Sequence, residues 1–167
     1  MQKHVKYEQA IKTKYPEQVV IAIAKDKKGK ANPVTLGWTM IASGEPPMMA
    51  IAVAKGHYSI KTIGHSKCFT IAFPTSQMAD AALFFGSRSG RDVDKFGEFH
   101  CKTEPAKKID SVLLSDAVAN FECTLESQTP AGDHIIFVGK IIASHTNTKP
   151  KKRLYTLGTG HKLGSVS

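Results

Sequence analysis

Cysteines and long apolar runs are scarce in this sequence of 167 residues. Cys68, Cys101 and Cys123 are odd in number and lack Cys-x-x-Cys spacing, which argues against a disulfide framework and a four-cysteine zinc site. No apolar run approaches the roughly 18 residues of a membrane span, and the first residues lack the apolar centre of a signal peptide. These absences predict a soluble cytoplasmic protein that has no metal site and does not enter a membrane.

Acidic residues are also scarce, because 14 Asp and Glu face 23 Lys and Arg, which leaves a net charge of +9. Such a basic surface attracts anions, including nucleic acid, acidic lipid and phosphorylated small molecules. The lysine clusters at residues 25–30 and 149–153 fall in a predicted loop and a predicted tail, where a solvated surface is the simpler interpretation. A nucleic-acid-binding surface would interleave aromatic residues, and only Tyr155 lies near the second cluster. Nucleic acid is therefore not the expected partner.

Short apolar and β-branched segments dominate the chain, and its length suits one domain. We predict a single domain over residues 1–167, with a core at about 19–164 and peripheral segments at 1–15 and 146–167. Turn residues between the apolar segments favour a mainly β, antiparallel barrel with short helices. Strands are predicted at 19–24, 34–43, 48–54, 68–73, 117–127 and 134–144, with the last two joined as a hairpin through 128–133. Helices are predicted at 59–65, at 76–85 with Ser76 as N-cap, and at 92–96.

The common motifs for dinucleotide, nucleoside triphosphate and metal binding are not present. Residues 158–164 have the wrong glycine spacing for G-x-G-x-x-G, and residues 86–91 lack the Gly-Lys-Ser/Thr ending of a phosphate loop. His100 and Cys101 are adjacent, so on a strand they would point to opposite faces and would not share a metal. None of these motifs therefore assigns a chemistry to the chain.

Two predicted loops carry the residue types that bind phosphate. Residues 55–59 follow a strand and open a helix, residues 87–91 follow a helix, and both contain cations, hydroxyls and glycine. A phosphate requires cations, hydroxyl donors and free backbone N–H groups, which a helix N-terminus supplies. Together with Trp38 on a predicted strand, these loops indicate a pocket for an aromatic, phosphorylated ligand. Taken singly, each residue has a simpler interpretation, with Trp38 in the core and Lys55 and Arg91 in solvent.

The order of these motifs resembles the flavin reductase-like family, the FMN-binding split barrels that include flavoredoxin. The resemblance extends from about residue 19 to about residue 164, and residues 89–96 together with residues 132–134 are its most specific part. The matching pieces are Asn32, Thr35, residues 37–40, Ser43, residues 46–47, 55–59, 68–71, 87–96 and 132–134, and Gly139.

The resemblance implies a six-stranded antiparallel FMN-binding split barrel that forms a homodimer, with FMN at or near the dimer interface. Residues 38–40 would run beside the isoalloxazine ring. Residues 54–59 and 89–91 would hold the phosphate, and Lys55 and Arg91 would neutralise its negative charge. His134 would lie near the flavin or the nicotinamide, and no residue is assigned as a certain catalytic group. The implied cofactor-binding residues are Thr35, Gly37, Trp38, Thr39, Met40, Ser43, Ala54, Lys55, His57, Tyr58, Ser59, Ser89, Gly90, Arg91 and His134.

Two functions follow from the resemblance, and a third follows from the net charge. The first is a flavin reductase that transfers hydride from NADH or NADPH to flavin N5. The second is a non-catalytic FMN electron carrier whose basic surface docks an acidic redox protein. The third and more remote function is a polyanion-binding barrel.

Family members often end in a tyrosine-containing segment over the flavin. Residues 158–164 contain no tyrosine, so the stacking group is either missing or supplied by His161.

Overall fold

Short helices and antiparallel strands make up the chain in this computed structural model, which describes residues 1–149 and 151–166. The peripheral segment predicted at 146–167 is therefore described except for residues 150 and 167. The strands are β1 (Glu17–Gln18), β2 (Val20–Lys25), β3 (Ala31–Leu36), β4 (Thr39–Gly44), β5 (Pro47–Ala54), β6 (Cys68–Phe73), β7 (Thr103–Pro105), β8 (Val112–Leu114), β9 (Ala119–Ala131), β10 (His134–Thr146), β11 (Tyr155–Gly158) and β12 (Lys162–Gly164). The helices are α1 (Tyr7–Ala10), α2 (Ser59–Ser66), α3 (Ala79–Ser87) and α4 (Lys95–Glu98), with 3₁₀ turns at Ile11–Lys14 and Ser76–Met78.

Seven strands form one antiparallel sheet in the order β3-β2-β6-β9-β10-β5-β4. The strand predicted at 34–43 is in fact two strands, because at Trp38 the backbone changes partner and its carbonyl accepts the Ala52 N–H at 2.9 Å. Only Gly37 and Trp38 separate β3 from β4, which lie at opposite edges, so the sheet curls until these edges approach each other. No pairing joins β3 to β4 within the described residues. The expected six-stranded split barrel is thus corrected to a curled seven-stranded sheet that does not close.

The strand β2 is buried on both faces, which explains its uninterrupted apolar sequence. Successive side chains of a strand point to opposite faces of the sheet. Val20 and Ala22 accordingly pack in one apolar cluster with Phe137 of β10, whereas Ile21 packs in a second cluster with Phe85 of α3. The second cluster holds α3 against the sheet and thereby places the segment that follows α3.

The β9–β10 hairpin is longer than predicted, because only Gly132 and Asp133 lie between the two strands. β9 continues through Pro130. Beyond Thr124, the only strand in the described part of the chain that pairs with β9 is β10. Proline has no N–H to donate, so strands tolerate it at such an edge. Gly132 has a φ of +58°, which glycine adopts readily. The tight turn makes His134 the first residue of β10.

Two helices begin at different residues from those predicted, whereas α2 agrees closely. Ser76 lies in the 3₁₀ turn before α3 and does not cap it, because the residue preceding α3 is Met78 and no side chain caps that end. The turn predicted at 92–96 is α4, where Asp94 accepts a backbone N–H of the helix at 3.2 Å. This cap starts the helix at Lys95. Within the described residues, no helix has the length and apolar character needed to cross a membrane.

Strands from both ends of the chain pair in a separate small sheet, in the order β1-β11-β12. Glu17 of β1 is the register partner of Thr156 in β11. Arg153 attaches this sheet to the main one, since its guanidinium lies 3.5 Å from the centroid of the Phe73 ring and donates to Gln18 at 3.3 Å. The predicted peripheral segment at 146–167 therefore contributes two strands to this sheet, one of which pairs with residues 17–18, whereas residues 1–13 of the other predicted peripheral segment are exposed.

Candidate functional site

A cavity of about 470 Å³ lies where the chain passes from β3 to β4. The hydroxyl of Thr35 donates to the Ala82 carbonyl at 2.7 Å, which holds α3 beside this space. We call it the large cavity. The main sheet contributes Thr35, Gly37, Trp38, Ala52, Ala54 and His134 to its lining. The terminal segments contribute Lys14, Tyr15, Glu17, Thr156, Gly160 and His161.

Trp38 and His134 form one wall of the large cavity. Their ring centroids are 4.5 Å apart and the ring planes are inclined by 33°. Nδ1 of His134 lies 2.6 Å from Oδ1 of Asp133, and this hydrogen bond, with the charge of His134, holds the pKa of Asp133 below its ordinary value. Trp38 is 49% exposed. The large cavity is therefore bordered by an aromatic face that solvent and a second ligand can reach.

A second cavity, of about 180 Å³, continues from the first and shares His57, Gly86 and Ser87 with it. This small cavity lies between the loop that enters α2 and the segment that leaves α3. A helix N-terminus presents backbone N–H groups that have no partner within the helix. The described residues that line the small cavity include the cations Arg88 and Lys95 and no carboxylate. Its lining also contains the polar side chains of Asn32, Tyr58, Ser59, Ser87 and Ser89.

Lys95 is the buried cation of the small cavity and is only 3% exposed. Its Nζ donates to the carbonyls of Pro33 at 2.8 Å and Phe85 at 2.7 Å, which joins β3, α3 and α4. Burial lowers the pKa of Lys95 to about 8. An anion in the small cavity would therefore meet a cation that solvent and salt screen only weakly.

Asn32, Ser59 and Gly90 pack closely at the floor of the small cavity. The Asn32 side-chain amide donates to the Ser59 hydroxyl at 3.0 Å, and Oδ1 of Asn32 is buried without a hydrogen-bond partner. A Cβ atom at Gly90 would lie 1.9 Å from that Oδ1, so this position accommodates only glycine. The unpaired oxygen is an acceptor available to a hydroxyl of a ligand, because buried polar groups normally find partners.

His57 lies where the two cavities meet. Burial, together with the charges of Lys95 and His134, lowers the pKa of His57 below its ordinary value. Since that ordinary value is 6.5, the imidazole is neutral at pH 7. A neutral imidazole donates one hydrogen bond and accepts another. The junction between the cavities is thus polar but uncharged.

Most of the cofactor-binding residues implied by the resemblance line one of these cavities. The large cavity contains Thr35, Gly37, Trp38, Ala54, His57 and His134. The small cavity contains His57, Tyr58, Ser59, Ser89 and Gly90. The fold therefore brings together residues from β3, the β3–β4 link, the loop before α2, the segment after α3 and the start of β10.

The structure places the other implied residues, Thr39, Met40, Ser43, Lys55 and Arg91, outside both linings. The first three lie on the edge strand β4, where the Thr39 hydroxyl donates to a β5 carbonyl at 3.0 Å. Lys55 is exposed beside the β9–β10 turn, and its N–H donates to the Asp133 carbonyl. The exposed Arg91 guanidinium lies 6.0 Å from the centroid of the Tyr58 ring, above the rim of the small cavity.

Several lining residues had no role in the sequence prediction. Asn32 and Lys95 belong to the motifs that carried the resemblance, and Arg88 lies within the predicted phosphate loop 87–91, so these three had a local signal. Lys14 and Glu17 had no local signal in the sequence, because their place beside the Gly37–Trp38 link depends on the pairing of β1 with β11. His161, the candidate stacking group, lines the large cavity.

Comparison with known proteins identifies the family and the fold. Residues 12–163 match the family model described as the flavin reductase like domain. The chain therefore belongs to the flavin reductase-like family. Its fold is that of the flavoredoxin from Methanosarcina acetivorans, with a TM-score of 0.87 and 26% identity over 100% of this chain and 92% of that one.

Curated relatives are similar over most of the chain. An actinorhodin polyketide dimerase from Streptomyces coelicolor is 30% identical over 142 residues, which are 84% of this chain and 76% of that protein. An NADH-dependent FMN reductase from Streptomyces nodosus subsp. asukaensis is 27% identical over 117 residues, which are 68% of this chain and 60% of that protein. The chain spans 73%, 64% and 57% of the lengths of three archaeal relatives that it matches.

Proposed function

We propose that this protein binds FMN and is an NAD(P)H:flavin oxidoreductase. The observation that carries the proposal is the pair of connected cavities, a large one that contains the aromatic wall and many apolar side chains and a small one lined mainly by polar side chains and cations. FMN has the same division, with an aromatic ring system at one end and a phosphate at the other. The cavity volumes of about 470 and about 180 Å³ together lie within the roughly 300–1,000 Å³ typical of ligand pockets.

The small cavity suits the phosphate end of FMN. A phosphate monoester carries nearly two negative charges at pH 7, since its second pKa is about 6. Lys95 and Arg88 supply positive charge there, and the Ser59 hydroxyl lies at the first residue of α2, where a helix favours anions. The unpaired Oδ1 of Asn32 would accept a hydrogen bond from a ribityl hydroxyl. The residues present therefore fit the group.

The large cavity suits the ring end. FMN itself supplies the redox chemistry, so the protein has to bind, orient and tune it rather than provide a nucleophile. Trp38 and His134 would border the ring, and the neutral His57 would offer a hydrogen bond at the junction with the ribityl chain. The half-exposed face of Trp38 leaves an approach for the nicotinamide of NADH or NADPH.

FMN binding is tested by titration followed through absorbance and flavin fluorescence. We expect saturable quenching with a Kd in the micromolar range, near −8 kcal/mol, and at least tenfold weaker binding of riboflavin. Arg88→Ala should weaken FMN binding about tenfold, because Arg88 lines the small cavity. Arg91→Ala is the matched control, and its Kd should change by less than about threefold. Equal affinities for FMN and riboflavin would contradict the assignment of the small cavity to the phosphate.

A second candidate function is that of a non-catalytic FMN electron carrier. It is favoured by the similarity to a flavoredoxin over the whole chain and by the net charge of +9, which suits an acidic redox protein. Steady-state oxidation of NADH and NADPH with added FMN separates the two functions. A reductase turns over pyridine nucleotide, whereas a carrier shows little turnover but is reduced by dithionite or by a reduced protein partner.

We also propose that the protein is a homodimer through the sheet face formed by β4, β5 and β10. Met40, Ala50 and Val138 are register partners, so they share one face, and Met40 is 58% exposed. This face continues to Trp38 and His134 at the large cavity. An apolar sheet face of this kind is normally covered by a partner.

Analytical ultracentrifugation tests the dimer. The unmodified protein should sediment as a dimer, and Val138→Glu should convert it to a folded monomer with weaker FMN binding. Lys61→Glu, at an exposed position on α2 and away from this sheet face, provides the control. A monomer in the unmodified protein would contradict this part of the proposal.

A further inference from the structure

We propose that Lys14 and Glu17, which form an ion pair, shift the reduction potential of the flavin in the large cavity in opposite directions. This inference rests on the proposed function, because it requires the flavin ring to occupy that cavity. It assigns a role to two residues that lie before the core predicted from the sequence at about 19–164. Lys14 and Glu17 are positioning residues in this role, since they act through charge rather than through a chemical step.

The geometry of the pair is well defined. Lys14 Nζ lies 2.8 Å from both carboxylate oxygens of Glu17. The same Nζ is 5.7 Å from the centroid of the Trp38 ring. The two side chains are only 26% and 18% exposed. The ion pair is therefore held beside an aromatic wall of the large cavity, where water screens it incompletely.

Glu17 is held in place from two sides. Its backbone pairs with Thr156 of β11, so the terminal sheet fixes its position along the chain. A Cβ atom at Gly37 would lie 3.0 Å from the Glu17 carboxylate, which shows that the carboxylate packs directly against the backbone of the β3–β4 link. The carboxylate therefore has a fixed place relative to Trp38, the next residue in the chain.

No other carboxylate, ammonium or guanidinium group is found among the described residues that line the large cavity. The remaining titratable groups are the phenol of Tyr15 and the imidazoles of His57, His134 and His161. Burial keeps His57 neutral at pH 7. The Lys14–Glu17 pair thus supplies the fixed charges of this cavity, and the two charges offset each other.

The physical consequence has a definite sign. A hydride brings two electrons and one proton, so its transfer to a flavin adds one net negative charge to the ring. A nearby carboxylate disfavours that charge, and a nearby ammonium favours it. Removal of Lys14 leaves Glu17 unbalanced and should lower the potential, whereas removal of Glu17 should raise it. The opposite signs do not depend on which edge of the ring faces the pair.

The test compares the Kd for oxidised FMN with the Kd for reduced FMN, measured anaerobically. For Lys14→Met, we expect the ratio of the reduced Kd to the oxidised Kd to rise at least tenfold. For Glu17→Gln, we expect that ratio to fall at least tenfold. A tenfold change corresponds to about 30 mV for a two-electron couple, so a redox titration of the bound flavin provides an independent readout.

Matched controls come from the same segment. Lys12→Met and Glu8→Gln make the same charge changes at exposed positions that do not line the cavity, and should move the ratio by less than threefold. The double variant Lys14→Met/Glu17→Gln should lie within about threefold of the unmodified protein. Thermal melting of each variant establishes that it is folded.

Three results would overturn the inference. These are shifts of the same sign in Lys14→Met and Glu17→Gln, a ratio that changes by less than threefold in both, and equal shifts in the Lys12→Met and Glu8→Gln controls. Each of them leaves FMN binding intact, so the proposed function would survive. If the unmodified protein bound no FMN, the proposed function would fail, and this inference would fail with it.

Discussion

Trp38 and His134 stack with their ring centroids 4.5 Å apart, although one follows β3 and the other opens β10. Two features produce this contact. The backbone changes partner at Trp38, where its carbonyl accepts from Ala52, and the two-residue turn after β9 brings His134 opposite Ala54 in β5. The aromatic wall of the large cavity therefore results from strand register.

His134→Ala removes one member of this wall and should weaken FMN binding. Aromatic pairs contribute roughly 0.5–1.5 kcal/mol beyond their buried area, so we expect Kd to rise about 2- to 12-fold. Isothermal titration calorimetry with FMN measures the change. His65→Ala, at an exposed position on α2, is the control. An unchanged Kd in His134→Ala would mean that the ring does not lie against this wall.

Lys95 should make FMN binding depend on pH. Its pKa is about 8, and loss of the proton removes the charge that faces the phosphate. FMN affinity should therefore change little between pH 6.5 and 7 and fall as pH rises through about 8, with Kd up to about tenfold higher at pH 9. Riboflavin, which has no phosphate, should show no such dependence.

Lys95→Met should abolish the pH dependence just described and reduce the preference for FMN over riboflavin by about 10-fold or more, because hydrogen bonds to charged groups contribute roughly 1.5–3 kcal/mol. Fluorescence titrations with FMN and with riboflavin between pH 6.5 and 9.5 would measure both the pH dependence of Kd and the preference for FMN. A pH dependence that persists in Lys95→Met would assign it to another group.

Gly90→Ala should disrupt the floor of the small cavity. The new Cβ would meet Oδ1 of Asn32 at 1.9 Å, so Asn32 would have to move and its bond to Ser59 would be lost. Overpacking of this kind costs about 1–3 kcal/mol of unfolding free energy, and FMN binding should weaken about tenfold. Chemical denaturation and FMN titration measure these effects.

The matched control for Gly90→Ala is Gly64→Ala within α2. Apart from its chain neighbours and the backbone of its own helix, no described atom lies within 4 Å of the position of a Cβ at Gly64. Because glycine is unfavourable within a helix, Gly64→Ala should stabilise the protein by about 0.5–1 kcal/mol. If Gly90→Ala behaved in the same way as Gly64→Ala, the close approach of Asn32 would be wrong.

Glu122 should govern stability in acid. Burial opposes ionisation of its carboxyl, but the N–H groups of Lys107, Lys108 and Ile109 and the imidazole of His145 together hold the pKa of Glu122 below its ordinary value of 4.5. A carboxyl whose pKa is lowered by folding stabilises the protein above the unfolded pKa. That contribution should be lost as pH falls below about 4.5 and through the lower pKa of the folded state.

Glu122→Gln should reduce the unfolding free energy at pH 7 by about 2–4 kcal/mol, because the amide cannot replace a fully buried carboxylate that accepts several hydrogen bonds. The loss should shrink as pH falls from 5 to 3. Glu126→Gln, at an exposed position on the same strand, should change stability by less than about 0.5 kcal/mol. Urea denaturation at several pH values measures the unfolding free energy of both variants. Equal losses in Glu122→Gln and Glu126→Gln would contradict the role assigned to Glu122.

The local pattern of the sequence identified much of the fold. Alternating and β-branched residues predicted β2, β5, β6, β9 and β10 with small errors at their ends. Burial of one or both sheet faces requires apolar residues at defined spacings, and this pattern is visible in the sequence. The order of short motifs also indicated the family. The loops before α2 and after α3 were predicted as a phosphate site from composition alone, and the structure brings them together around the small cavity.

The sequence by itself therefore determined where most strands of the main sheet lie, which loops carry residue types suited to phosphate, and to which family the chain belongs. Only the tertiary structure decided that β3 and β4 lie at opposite sheet edges, that Lys95 is buried while Arg91 is exposed, and that Lys14 and Glu17 reach Trp38. The physical reason is that burial patterns and turn residues act locally. The identity of a lysine, in contrast, does not show whether its side chain lies in solvent or in a cavity, because its surroundings depend on segments that are distant in the chain.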